Sequence, residues 1–79
     1  MDSPQYYDDR LESRTIRIGN KFYKVVDDIG DTVITSPAFL QNGKRKLRNG
    51  NLGLCISRDQ IDEVYPIGMS MQRAYLEWK

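Results

Sequence analysis

The feature that most constrains this chain is its punctuation. Between Thr15 and Ile67, runs of β-branched, aromatic and other apolar residues are repeatedly interrupted by glycine or asparagine before they grow long. Thr15-Ile16-Arg17-Ile18 and Lys21-Phe22-Tyr23-Lys24-Val25-Val26 flank Gly19-Asn20, and Asp28-Ile29-Gly30-Asp31 precedes Thr32-Val33-Ile34-Thr35. Runs of four to eight such residues bounded by turn formers are strand signatures, not helix signatures. Asn42-Gly43 is the dipeptide that suits a type I′ hairpin turn, and Asn49-Gly50-Asn51 supplies a second turn. Leu52, Leu54 and Ile56 then share one face of a strand, with Gly53 where the backbone must bend or be approached closely. Pro37 cannot donate to a ladder and is expected to end its strand or confine it to an edge.

At 79 residues the chain can build only one modest core. Its composition, 39% hydrophobic and 29% charged, is nevertheless that of a folding sequence and not of a disordered one. About five short strands in so small a domain protect their edges best by closing on themselves, so the expected fold is mostly β, a small barrel. A strand ending at Ile56, a single 3₁₀ turn over Ser57-Arg58-Asp59-Gln60 and a returning strand over Ile61 to Ile67 resemble the end of SH3-like barrels. That resemblance covers roughly residues 15 to 67 and implies a fold, not an activity. The expected core is Ile16, Ile18, Phe22, Val25, Val33, Leu54, Ile56, Ile61 and Val64.

Short helical segments are expected on either side of this 15–67 domain. Ser3-Pro4 reads as a helix start, with Tyr7 and Leu11 four residues apart, so residues 1–14 form a short helix or a flexible arm. Over residues 68–79, Ser70 can cap a helix carrying Met71, Ala74, Tyr75 and Trp78 along one side.

Several function classes fall away. The chain has no histidine, which removes the usual base for a serine or cysteine nucleophile and leaves no zinc ligand set. Cys55 sits in the most apolar strand and is read as a core residue. Asp27, Asp28 and Asp31 lack the spacing and the distal glutamate of a calcium loop, and read as a tight turn whose carboxylates satisfy local backbone donors. No glycine-rich phosphate loop is present. The expectation is a non-enzymatic protein with no catalytic residues, no metal and no cofactor. A single cysteine, no apolar run long enough for a membrane span and a polar, acidic N-terminus point to the cytoplasm.

What remains is charge. Twelve basic and eleven acidic residues leave a net charge of +1, but they are segregated into blocks. Lys44, Arg45, Lys46 and Arg48 place four cations within five residues beside the Asn-Gly turn, and Arg14, Arg17, Lys21 and Lys24 form a second block. In a strand, Lys44, Lys46 and Arg48 face one side while Arg45 and Leu47 face the other, with Leu47 turned to the core. Such a hairpin suits a nucleic-acid backbone, and its expected contacts are Lys44, Arg45, Lys46 and Arg48, with Arg17, Lys21 and Lys24 beside them. Phe22 and Tyr23 alternate, so one ring is expected inside and the other out; Tyr23 is the candidate for stacking on a base. The alternative partner is a protein, contacted through a sheet edge and the aromatic termini, Tyr6, Tyr7, Tyr75 and Trp78, with homodimerisation compatible with either.

Overall fold

The computed structural model describes residues 10–79. The expected helix start at Ser3-Pro4 and the side chains of Tyr6 and Tyr7 lie outside the described residues. Among the described residues there are six strands: β1 (Thr15–Ile18), β2 (Lys21–Asp28), β3 (Thr32–Gln41), β4 (Lys44–Leu47), β5 (Cys55–Ser57) and β6 (Glu63–Val64). A helix, α1 (Met71–Trp78), follows them. All pairings are antiparallel, in the order β4-β3-β2-β1-β6, with β5 paired to the first part of β3.

β3 is the spine. Its Thr32–Ile34 stretch pairs with β5 and its Ala38–Gln41 stretch with β4, while β2 holds the other edge throughout. Contrary to expectation, Pro37 neither ends this strand nor sits on a sheet edge. It lies in a bulge: Tyr23 opposes Phe39 and Val25 opposes Thr35, so Ser36, Pro37 and Ala38 face the single residue Lys24. A bulge needs no ladder donor from that position, which is why a proline is tolerated in a central strand.

The expected closed barrel is not formed. Among the described residues β5 and β6 share no ladder, and the sheet stays open between them. It is nevertheless strongly curled. The Arg58 N–H reaches the carbonyl of Asp31, beside β3, and four residues later the Asp62 N–H reaches the carbonyl of Arg17 in β1. That link, half of it the 3₁₀ turn Arg58–Gln60, spans only about 11 Å. In a flat sheet the four strand spacings between β5 and β6 would separate these points by about 19 Å. Strands of three and two residues are too short to complete the ladder once the 3₁₀ turn has used the intervening chain.

The sheet is covered on both faces. On one, Leu11, Ile16, Tyr23, Val25, Val33 and Ile56 form a core, with Ile18, Phe39, Leu54 and Ile61 packed against it. On the other, Phe22, Leu40, Tyr65 and Ala74 form a second cluster under α1. Two cores explain why Phe22 and Tyr23 are both buried, instead of one pointing in and one out: β2 is sandwiched. α1 is capped as expected, the Ser70 hydroxyl accepting from the Arg73 N–H at 3.1 Å. Its Tyr75 and Trp78 rings meet Phe22 at 6.0 and 5.7 Å.

Most of the expected core is inside, but four placements differ, the first being Leu52, which precedes β5 instead of sharing its inner face and is 70% exposed. Leu47 is 62% exposed because it lies on an outer strand beyond the reach of α1, and Val64, opposite Ile16 on the face away from α1, is 36% exposed at the open edge that β6 forms. Cys55 is exposed: only Ile56 of β5 turns inward, and the outer side of this short strand has no covering layer.

Candidate functional site

The hairpin β3–β4 turns at Asn42 and Gly43 with φ of 55° and 79°, the left-handed pair a type I′ turn requires. Gly43 serves a second purpose, since a Cβ there would stand 3.1 Å from the Tyr75 ring. The tip therefore rests on α1. It is also tied sideways, because Asn20 in the β1–β2 turn donates to the Asn42 side chain at 3.4 Å.

Register decides where each cation goes. Lys44 opposes Gln41, which opposes Lys21; Lys46 opposes Phe39, which opposes Tyr23. Directly opposed residues share a face, and so do residues two apart along a strand. Lys21, Lys44 and Lys46 therefore stand together on the face that carries Tyr23 and Phe39. Lys44 and Lys46 are exposed, Lys21 is half-buried, and none of the three has an ion pair or side-chain hydrogen bond among the described residues.

The other predicted cations are elsewhere. Arg45 opposes Leu40 on the α1 face, where it lines a shallow cavity with Gly43, Ser70 and Met71. Lys24 also alternates to that face, opposite Thr15. Arg17 is a structural residue and not a surface cation. Its side chain is 17% exposed, stacks over Trp78 at 5.1 Å, reaches Glu63 at 3.5 Å and donates to the Gly19 carbonyl at 2.9 Å. Arg48 borders the lysine face, but its guanidinium donates to the Gly53 carbonyl at 3.0 Å and to that of Leu52 at 3.4 Å, holding the loop after β4. That loop passes so close to β3 that a Cβ on Gly53 would collide with the Thr35 carbonyl oxygen, as the expected close backbone approach requires.

Tyr23 does not offer an exposed ring for stacking: it is 6% exposed and burial pushes its phenol pKa up, an effect that nearby Arg48 opposes. The ring it supports is Phe39, half-buried and stacked on it at 5.5 Å with 25° between planes. Phe39 was not among the residues singled out from sequence. Counting back from the Asn-Gly turn places it opposite Lys46, a signal obscured by ending β3 at Pro37.

The acidic turn behaves as its composition suggested. The Asp28 carboxylate accepts from the N–H groups of Leu11 at 2.8 Å and Gly30 at 2.9 Å and from Arg58 at 3.0 Å, while Asp27 accepts from the Asp28 N–H at 2.9 Å. Burial alone would push the Asp28 pKa up, but the two backbone donors and the Arg58 charge outweigh it and hold it below the ordinary aspartate value. Among the described residues no group of three potential ligands is placed to hold a metal ion, and no helix is long and apolar enough to cross a membrane. Comparison with protein-family models, with curated proteins and with solved structures found no match.

Proposed function

We propose that this chain is a small non-enzymatic module that grips a nucleic-acid backbone through the lysine face of its β3–β4 hairpin. One observation carries the reading: Lys21, Lys44 and Lys46 share a face by register and have no acidic partner among the described residues. A cation with an internal partner has little left for a ligand, whereas a solvated one releases counterions from each phosphate it neutralises. With a net charge of only +1, the attraction is local to this face. Arg48 adds positive potential at its border. The scaffold is read as an SH3-like barrel left open, a reading supported by the 3₁₀ turn between β5 and β6. We place the protein in the cytoplasm, where exposed Cys55 stays reduced.

The alternative is protein contact through a sheet edge and the aromatic termini; its terminal part is less favoured because Tyr75 and Trp78 both have their rings against Phe22. The test is a gel-shift titration of DNA and RNA at low and moderate salt, comparing the parent with the double variant Lys44→Glu, Lys46→Glu. The variant is expected to keep its circular dichroism spectrum and thermal transition and to lose retention. Unchanged retention in a folded variant overturns the proposal.

A further inference from the structure

We infer that the ligand of the lysine face is single-stranded nucleic acid, one base of which stacks on Phe39; this rests on the nucleic-acid reading above. Phe39 occupies the centre of that face. Along its own row it lies between Tyr23 and Lys46, and the neighbouring row carries Lys21, Gln41 and Lys44. Lys46 is therefore one strand spacing, about 5 Å, from the backbone beneath the ring. A phosphate held there leaves its own base within reach of the platform.

The ring is built for contact from outside. Tyr23 backs it in a near-parallel stack at 5.5 Å and is itself buried, so Phe39 is the outer member of a supported pair. β2 and β4 hold its backbone on both sides, which fixes the ring before any ligand arrives. Every base has a π-face, so such a platform binds without reading sequence.

A duplex fits this face poorly. Its bases are stacked on one another, and reaching them needs an element that enters a groove. α1 does not protrude, because Ala74 is fully buried and the helix packs on the opposite face. Nor does the hairpin form a free ribbon: Lys21 pairs with Gln41 right up to the turn, and Asn20 bonds Asn42 across the two adjacent tips. What faces the ligand is the end of that face beside the first core, carried by three paired strands, which an unstacked strand can cover and a groove cannot admit.

The experiment is fluorescence anisotropy at fixed salt with a labelled oligothymidylate, an oligouridylate and a duplex of equal length, the first two separating DNA from RNA as the source of the strand. The parent is expected to favour single strands over duplex. Phe39→Leu is expected to weaken single-strand binding by roughly fivefold or more with the salt slope unchanged, since it removes stacking and leaves every phosphate partner in place. As a second readout that does not depend on Phe39→Leu keeping its fold, Phe39→Trp is expected to be quenched on saturation, whereas Trp78 lies on the opposite face. If Phe39→Leu binds like the parent, if Phe39→Trp is not quenched, or if duplex binds as tightly as single strand, the stacking platform is overturned. In those cases the backbone-gripping reading survives as long as Lys44→Glu, Lys46→Glu abolishes binding. If the parent binds none of the three probes, both readings fall.

Discussion

The acidic turn at Asp27–Asp31 and the basic hairpin tip at Lys44–Arg48 look alike in the sequence, each a short block of like charge beside a glycine, yet they have opposite fates. The Asp28 side chain is 5% exposed and accepts from two backbone N–H groups and a guanidinium, tying the segment before β1 and the 3₁₀ turn after β5 to the end of β2. Lys44 and Lys46 stand in water with no such partner among the described residues. The first charge belongs to the fold, and the fold would be weaker without it. The second asks nothing of the fold, and so is open to a ligand. Arg17 makes the same point within the basic blocks, its guanidinium held between Trp78 and Glu63 while Lys21, four residues on, is left free of ion pairs among the described residues.

If that contrast is right, Asp28→Ala gives the largest change in stability. It leaves the part-buried Leu11 N–H unsatisfied, turns the exposed Gly30 N–H over to water and removes one of the partners of Arg58, which also donates to the Gly30 carbonyl, lowering stability in urea unfolding by about 2–3 kcal/mol. An effect under about 0.5 kcal/mol would erase the distinction between the two regions.

The pH dependence of stability sharpens it. Because the folded pKa of Asp28 is depressed, its contribution is fully present above the unfolded aspartate value of about 4 and is lost as pH falls through the lower folded value. Urea midpoints measured from neutral to strongly acidic pH are expected to decline less steeply below about pH 4 in Asp28→Asn than in the parent. Equal slopes would show that the Asp28 carboxylate is not held by the fold.

The smallest stability change is expected from Lys44→Ala with Lys46→Ala, within about 0.5 kcal/mol of the parent. In single-strand binding the same pair is expected to lower the slope of log affinity against log salt by about 0.7 for each phosphate that is no longer neutralised. A destabilised double variant would mean that these lysines, like Asp28, serve the fold.

Much of the architecture was legible. The Asn42-Gly43 turn, the Ser70 cap, the one-sided helix stripe and the close approach at Gly53 each follow from local chemistry that a few neighbouring residues dictate. The site was half legible: period-two alternation put Lys44 and Lys46 on one side and Arg45 on the other, as found. It could not say that Arg17 would meet Trp78, some sixty residues away, or that β3 would carry Pro37 in a bulge and so place Phe39 opposite Lys46.

By itself, then, the sequence determined a mostly β domain with a basic hairpin and a capped terminal helix, because turns, caps and alternation are properties of adjacent residues. Which cations stay in water, which ring is outermost and whether the sheet closes were decided only in three dimensions. Those outcomes depend on bulges and on what covers each face, and they join residues distant in the chain.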